Sequence, residues 1–123
     1  ISAEFKIKFL IFMRQIAGGY MRNLSRNDMN NILKYRYVII YGAGKVTWNS
    51  IQYLSGHGIN EFIIAVTNAN KNSYIMGNKI YSIDELNYDK EKCIVLLSVA
   101  KNNQIDIIKH LNELGYKTIV SLV

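Results

Sequence analysis

The chain has 123 residues, of which 50% are apolar and 20% charged, enough for one domain with a single buried core. Its one cysteine, Cys93, excludes an internal disulfide bond and a metal site built from several cysteines, and favours a reducing, cytoplasmic compartment. Most of the formal net charge of +6 lies in residues 1–36, which have seven basic and two acidic side chains. Residues 37–123 have eight basic and seven acidic side chains, and this near balance argues against nucleic acid as the partner of that larger part.

Residues 4–17, EFKIKFLIFMRQIA, place aromatic and aliphatic side chains at helical spacing among basic ones, which predicts an amphipathic helix. Its longest apolar run, residues 9–13, is far shorter than the ~20 residues of a membrane span, and no signal-peptide cleavage site follows. We expect this helix to pack on its own domain or to form a homodimer, in preference to contacting a membrane. Because the chain begins without methionine, we expect a processed product or a piece of a longer protein, in which residues 1–5 can derive from a vector.

A second, shorter helix is predicted after Ser25, whose side chain can cap it while Asp28 completes a capping box. Its apolar face is formed by Met29, Ile32 and Leu33. We therefore divide the chain into a helical basic arm, residues 1–36, and a domain, residues 37–123.

From residue 37 onwards, buried strands alternate with helices. The predicted strands cover residues 37–41, 62–66, 79–81, 93–99 and 118–123. One helix covers residues 45–55, and a second opens at Asn102 or Asn103, turns Ile105, Ile108 and Leu111 inward and closes at Gly115. The alternation predicts an α/β fold: a three-layer, Rossmann-like parallel sheet of about five strands in the order 3-2-1-4-5, with helices on both faces.

In such a sheet a ligand binds at the carboxyl ends of the strands, where the strand order reverses. The candidate site therefore comprises residues 42–47, 67–73 and 98–103. In YVIIYGAGKV, Gly42 allows a sharp turn off the strand and Gly44 allows a ligand to approach the backbone. Lys45 adds a positive charge where the following helix begins, an end that attracts anions. The stretch predicts a turn able to hold phosphate.

Two features argue against a standard NAD site. Thr47 stands where a dinucleotide fingerprint has its third glycine, and we expect its branched side chain to push the helix outward. The acid that usually holds a ribose after the second strand is missing. Thr67 and Asn68 stand there instead, and an amide lacks the charge that makes the acid a strong acceptor. NAD(P) is thus a weaker alternative to a nucleotide or nucleotide-sugar, and the turn can also be architecture alone.

Three segments together resemble a Rossmann-like domain of bacterial polysaccharide and glycan enzymes: VIIYGAGKV, GNKIYSIDEL at residues 77–86, and CIVLLSVAKNNQIDIIKHLNELGYKTIVSL. In that family the domain is the N-terminal domain of sugar acyltransferases and of polysaccharide-type epimerases or dehydratases, and it is also appended to glycosyltransferases. The resemblance covers residues 37–123 and implies that the glycine turn meets a nucleotide, with Asn68 near the family's acid. The candidate binding residues are Gly42, Ala43, Gly44, Lys45, Val46, Thr67, Asn68 and Ser98.

Other reactive side chains form no recognisable catalytic or metal-binding set. His57 and His110 lack a carboxylate or nucleophile at a suitable spacing, Cys93 opens a buried strand, and Asp84 suits the first turn of a helix. Trp48 is expected to pack in the core or at an interface.

The favoured hypothesis is an accessory domain that binds a nucleotide or nucleotide-sugar within a larger cytoplasmic enzyme of bacterial surface-glycan synthesis. Such a domain is not expected to be catalytic by itself. A structural or oligomerisation module that binds nothing is the alternative. A small NAD(P)-binding oxidoreductase or redox sensor is the weaker one.

Overall fold

A computed structural model describes residues 21–123, so the amphipathic helix expected over residues 4–17 lies outside the described residues. The described helices are α1 (Arg26–Lys34), α2 (Lys45–Gly56) and α3 (Gln104–Glu113). The strands are β1 (Tyr37–Tyr41), β2 (Ile63–Val66), β3 (Tyr74–Ile75), β4 (Asn78–Ser82), β5 (Cys93–Leu97) and β6 (Ile119–Ser121). Short 3-10 turns cover Ile83–Glu85, Lys90–Lys92 and Lys101–Asn103.

The strands form one mixed, mostly parallel sheet with helices, an α/β fold, in the order β3-β4-β2-β1-β5-β6. The predicted count of five strands and the order 3-2-1-4-5 are therefore wrong for the sheet as a whole. The missed strand is β3, which pairs antiparallel with β4 at the sheet edge, whereas every other neighbouring pair is parallel.

The β3–β4 hairpin explains why pattern analysis missed its first strand. β3 has only two residues, too few to show alternation. Two residues with left-handed backbone, Met76 (φ +48°) and Gly77 (φ +78°), reverse the chain into β4. Only the second is a residue type that favours this conformation, so the sequence carries a weak turn signal.

The sheet buries both of its faces, and alternate residues of β1 serve opposite sides. Val38 and Ile40 join one apolar cluster, which α1 and α2 cover. Ile39 and Tyr41 join the other, which α3 and the turn Ile83–Glu85 cover. This arrangement accounts for the continuous β-branched run in β1, because a strand buried on both faces has no polar side.

The predicted capping box of α1 is confirmed. The Asp28 amide donates to Ser25 Oγ at 3.1 Å, and the Ser25 amide donates to Asp28 Oδ2 at 3.0 Å. These bonds, the Ser25 backbone bond above all, together with Arg22 at 3.0 Å lower the pKa of the Asp28 carboxyl. Ile32 enters the core shared with the sheet, whereas Leu33, placed on the same apolar face, is 64% exposed. The domain boundary at residue 37 stays a prediction.

Helix α3 faces the sheet largely as predicted, since Leu111 is buried and Ile108 packs against the same apolar cluster. The expectation for Ile105 is wrong: it is 78% exposed, and the neighbouring Gln104 is buried instead. The Gln104 amide donates to the Val99 carbonyl at 3.0 Å and to Ser121 Oγ at 2.9 Å, which satisfies the buried polar group. Gln104 thus joins the start of α3 to the segment after β5 and to β6.

Tyr116 follows α3 and is almost fully buried, at 1% exposure. Its hydroxyl has no hydrogen-bond partner among the described residues. Burial, with a further contribution from the nearby Cys93, raises the pKa of Tyr116 to about 12. Lys90 Nζ lies 4.8 Å from the centre of its ring.

Candidate functional site

The glycine turn connects the end of β1 to the start of α2 at the carboxyl edge of the sheet. Gly42 has φ +127°, and a Cβ added there would lie 2.5 Å from Ser98 Oγ and 3.2 Å from Thr47 Oγ1. Its amide donates to the Ala65 carbonyl at 2.8 Å, which links the turn to β2. The prediction that this position needs glycine for a sharp turn is confirmed.

The space around Gly44 is open, in contrast to that around Gly42. The Gly44 φ of −107° is open to any residue, and no atom lies within 4 Å of an added Cβ. Gly44 is the N-cap of α2 and has no side chain to satisfy the amides of the first helical turn. The fold itself therefore does not require glycine here, and the exposed backbone leaves room for a ligand.

Thr47 is fully buried, and its hydroxyl belongs to a chain of hydrogen bonds. The Ser98 hydroxyl donates to the Tyr41 carbonyl at 2.9 Å, which uses its only proton. Thr47 Oγ1, 2.5 Å from Ser98 Oγ, must therefore donate to Ser98, and it accepts from the Gly44 amide at 3.3 Å. The threonine thus joins the first turn of α2 to the end of β5 in place of a third glycine.

Ser98 supports the turn from within the fold, since it is 5% exposed and its amide also donates to the Tyr41 carbonyl, at 2.9 Å. Its direct contact with a ligand stays a prediction. The pairing of Thr47 with Ser98 was not found by sequence reasoning, because 51 residues separate the two and only the adjacency of β1 and β5 brings them together.

Replacing Thr47 with valine should lower the free energy of unfolding by about 1.5 kcal/mol, because the shape is kept while a buried hydrogen-bonded hydroxyl is lost. Urea denaturation of the two proteins measures the difference. Thr47→Ser keeps the hydroxyl and should lose only about 0.8 kcal/mol for the missing methyl group. An equal or larger loss in the serine variant would contradict the role assigned to the hydroxyl.

An open pocket of about 600 Å³ lies beside the glycine turn. Its lining residues are Ala43, Gly44, Lys45, Trp48, Asn49 and Ile75. Trp48 is 47% exposed, so of the two expected placements the core is wrong, and packing at an interface stays a prediction. Ile75 reaches the pocket from β3, the strand that the sequence did not reveal. The volume lies within the ~300–1,000 Å³ range of small-molecule sites.

Thr67 and Asn68 follow β2 at the same edge of the sheet, and both are exposed. The Thr67 hydroxyl is hydrogen-bonded to the Tyr41 hydroxyl, which ties this loop to β1. The Ala69 amide donates to Ser82 Oγ at 2.8 Å and ties it to β4. The loop is thus fixed on both sides while Asn68 stays exposed.

The pocket has a positive charge beside it. Lys45 is exposed in the first turn of α2, and that turn contains no acidic residue. Together with the backbone amides and the positive dipole end of a helix N-terminus, this charge favours an anionic group. Val46 is half-buried and packs against the core. Within residues 21–123, no group of three or more His, Cys, Asp and Glu side chains is placed to hold a metal ion.

The histidines have partners of different kinds. His57 Nδ1 lies 2.8 Å from the Tyr53 carbonyl, and its ring stacks on Tyr53, in accord with a role at the end of α2. His110 Nε2 lies 2.7 Å from Asp84 Oδ1, a carboxylate that the spacing in the sequence did not indicate. The two residues are 26 positions apart, and the fold alone pairs them on the exposed surface.

Cys93 is buried, and burial raises the pKa of its thiol. Its Sγ–H donates to the Asp89 carbonyl at 3.2 Å. A protonated, buried thiol has little nucleophilic reactivity.

Comparison of the chain with protein-family models, with curated proteins and with solved structures gives no match. None of the helices found in residues 21–123 has the length and apolarity needed to cross a lipid bilayer.

Proposed function

We propose that residues 37–123 form a Rossmann-like domain that binds a nucleotide or nucleotide-sugar at the glycine turn. The observation that carries this proposal is the open backbone of Gly44 beside a charged lysine and a 600 Å³ pocket. The turn leaves β1, which has β2 on one side and β5 on the other, at the point where chain order reverses. Ligands of open parallel sheets bind at such points.

The parts of a nucleotide match the groups available at this edge. The first-turn amides of α2 and Lys45 suit the phosphates. Thr67 and Asn68, exposed on the loop after β2, suit the hydroxyl groups of a ribose or the edge of a base. A neutral asparagine is a weaker ribose acceptor than a carboxylate, which favours a nucleotide-sugar or nucleoside diphosphate over NAD(P).

We further propose that the domain is an accessory part of a larger cytoplasmic enzyme of bacterial surface-glycan synthesis. This step rests on the resemblance of three sequence segments. Within one of them, GNKIYSIDEL, Gly77 has φ +78°, a strand follows at Asn78–Ser82, and the Ser82 amide donates to Glu85 Oε1 at 2.8 Å. The local structure therefore agrees with the glycine, short strand and capped turn of that pattern.

Gly44→Asp tests the proposed site. The carboxylate would stand among the amides meant for phosphate, so we expect the Kd for UDP, or for whichever nucleotide binds, to rise at least about tenfold. Isothermal titration with UDP, CMP, a UDP-sugar, NAD and NADP measures it. Stability should stay equal or increase by a few tenths of a kcal/mol, because aspartate is a favourable N-cap and its Cβ meets open space.

Gly56→Asp is the matched control, because it adds the same charge at the far end of α2, where an added Cβ also meets open space. This variant should bind nucleotide as the parent does. Absence of binding heat with all five ligands in the parent protein would overturn the proposed function.

A second candidate is a module that keeps the fold and binds no ligand. It is favoured by one observation: the Gly44 amide already donates to Thr47 Oγ1, which removes one phosphate donor from the turn. If this candidate is correct, neither the parent nor Gly44→Asp gives binding heat with any of the five ligands. Assembly would then involve the arm, residues 1–36. Analytical ultracentrifugation of the full chain, with and without residues 1–20, measures that assembly.

A further inference from the structure

Trp48 is the single tryptophan of the chain and lies in the pocket beside the glycine turn. Its side chain is 47% exposed, although burial of an indole is among the larger apolar gains in folding. Its amide donates to the Gly44 carbonyl at 3.1 Å, so that about one helical turn separates the two residues. Side chains in a helix lean toward its N-terminus, which directs the indole toward the open Gly44 backbone.

We propose that Trp48 stacks against the base of the nucleotide whose phosphates lie at the glycine turn. This inference rests on the proposed function and adds a contact for the base, the part of the nucleotide that the glycine turn does not recognise. Trp48 follows the first-turn amides of α2 by one to three residues, so the proposed base site and phosphate site are neighbours on one helix. A ribose links a base to its phosphate and can bridge two neighbouring sites.

A second apolar side chain of the pocket supports this assignment. Ile75, from the β3–β4 hairpin, lines the same pocket as Trp48. A planar base gains from contact with aromatic and aliphatic side chains, whereas a bare phosphate or a sugar gains little from either. The neighbouring Lys45 lies on the side of the helix N-terminus and complements a ligand that is anionic at one end and aromatic at the other.

Stacking of a base on an aromatic side chain contributes about 1–3 kcal/mol and depends little on which base is present. Trp48 is therefore expected to raise affinity for nucleotides in general, while the loop with Thr67 and Asn68 selects among them. Recognition by Trp48 should be absent for pyrophosphate, which carries the charge without the base.

The single tryptophan allows a direct test, because its fluorescence reports on this pocket alone. Titration with UDP should quench the emission, and titration with pyrophosphate should leave it unchanged. In calorimetry, Trp48→Ala should raise the Kd for UDP about tenfold, and Trp48→Phe should raise it no more than about threefold, since an aromatic surface remains. Leu33→Ala removes another exposed apolar side chain, 64% exposed, that does not line this pocket and should leave the Kd unchanged.

The outcomes separate this inference from the proposed function. Binding heat with UDP, combined with unchanged fluorescence and an unchanged Kd in Trp48→Ala, overturns the stacking role and leaves the nucleotide site standing. No binding heat with any nucleotide overturns both. A Trp48→Ala variant that lowers the sedimenting mass while retaining the parent Kd identifies Trp48 as a protein contact and also overturns the inference.

Discussion

Replacing Gly42 with alanine should lower the free energy of unfolding by about 3 kcal/mol. The backbone there has φ +127°, which L side chains rarely adopt and which costs about 1–3 kcal/mol. The added Cβ would also lie 2.5 Å from Ser98 Oγ, far closer than two such atoms can pack. Relieving that contact requires moving Ser98 or Thr47 and so disrupts the buried chain of hydrogen bonds. Urea denaturation followed by circular dichroism measures the loss.

Two other glycines separate the causes of this loss. Gly58 has φ +83° but open space around an added Cβ, so Gly58→Ala reports backbone strain alone, about 1 kcal/mol. Gly44→Ala has neither strain nor a close contact and should stay within about 0.5 kcal/mol of the parent. If Gly42→Ala were no more destabilised than Gly58→Ala, the close packing of Gly42 against Ser98 and Thr47 would be wrong.

Stability should fall steeply at high pH because of Tyr116. Its pKa is raised to about 12 in the folded protein, against about 10 in the unfolded chain. Below pH 10 the Tyr116 phenol is neutral in both the folded and the unfolded state, and its contribution to the free energy of unfolding is fully present. Between pH 10 and 12 the unfolded chain loses the proton first, so the free energy of unfolding falls by about 1.4 kcal/mol per pH unit.

Tyr116→Phe removes this dependence, and the difference between parent and variant in urea denaturation from pH 9 to 12 isolates it. Near neutral pH the variant should be more stable by about 1 kcal/mol, because the lost hydroxyl is buried without a partner among the described residues. Tyr74, 60% exposed, provides the control, and Tyr74→Phe should follow the parent at every pH. An identical fall in Tyr116→Phe and the parent would show that other groups control alkaline unfolding.

Local sequence signals account for much of the architecture. The continuous β-branched run of β1 indicates a strand buried on both faces, and alternate residues do enter the two apolar clusters. The capping box at Ser25 and the sharp turn with positive φ at Gly42 also follow from residue type and spacing, because each is a local feature of the chain. Such features are visible without knowledge of the fold.

The features that the sequence did not reveal depend on contacts between distant segments. The partner of Thr47 comes from β5, and the partner of His110 comes from the turn after β4. Exposure of Trp48 depends on which face of α2 meets the sheet, and periodicity alone does not decide that for a residue in the first helical turn. Burial of Gln104 rather than Ile105 at the start of α3 accompanies hydrogen bonds to two other segments, which hydropathy does not indicate.

The two edges of the sheet also affect how the domain behaves at high concentration. On one side, β3 offers only two residues before the left-handed backbone of Met76 and Gly77 ends the strand. On the other, β6 has three residues, and the Arg22 guanidinium donates to the Ser121 carbonyl at 2.8 Å. Short edges and a bound charge leave little backbone to template the addition of a foreign strand. The described sheet is thus poorly suited to edge-to-edge aggregation.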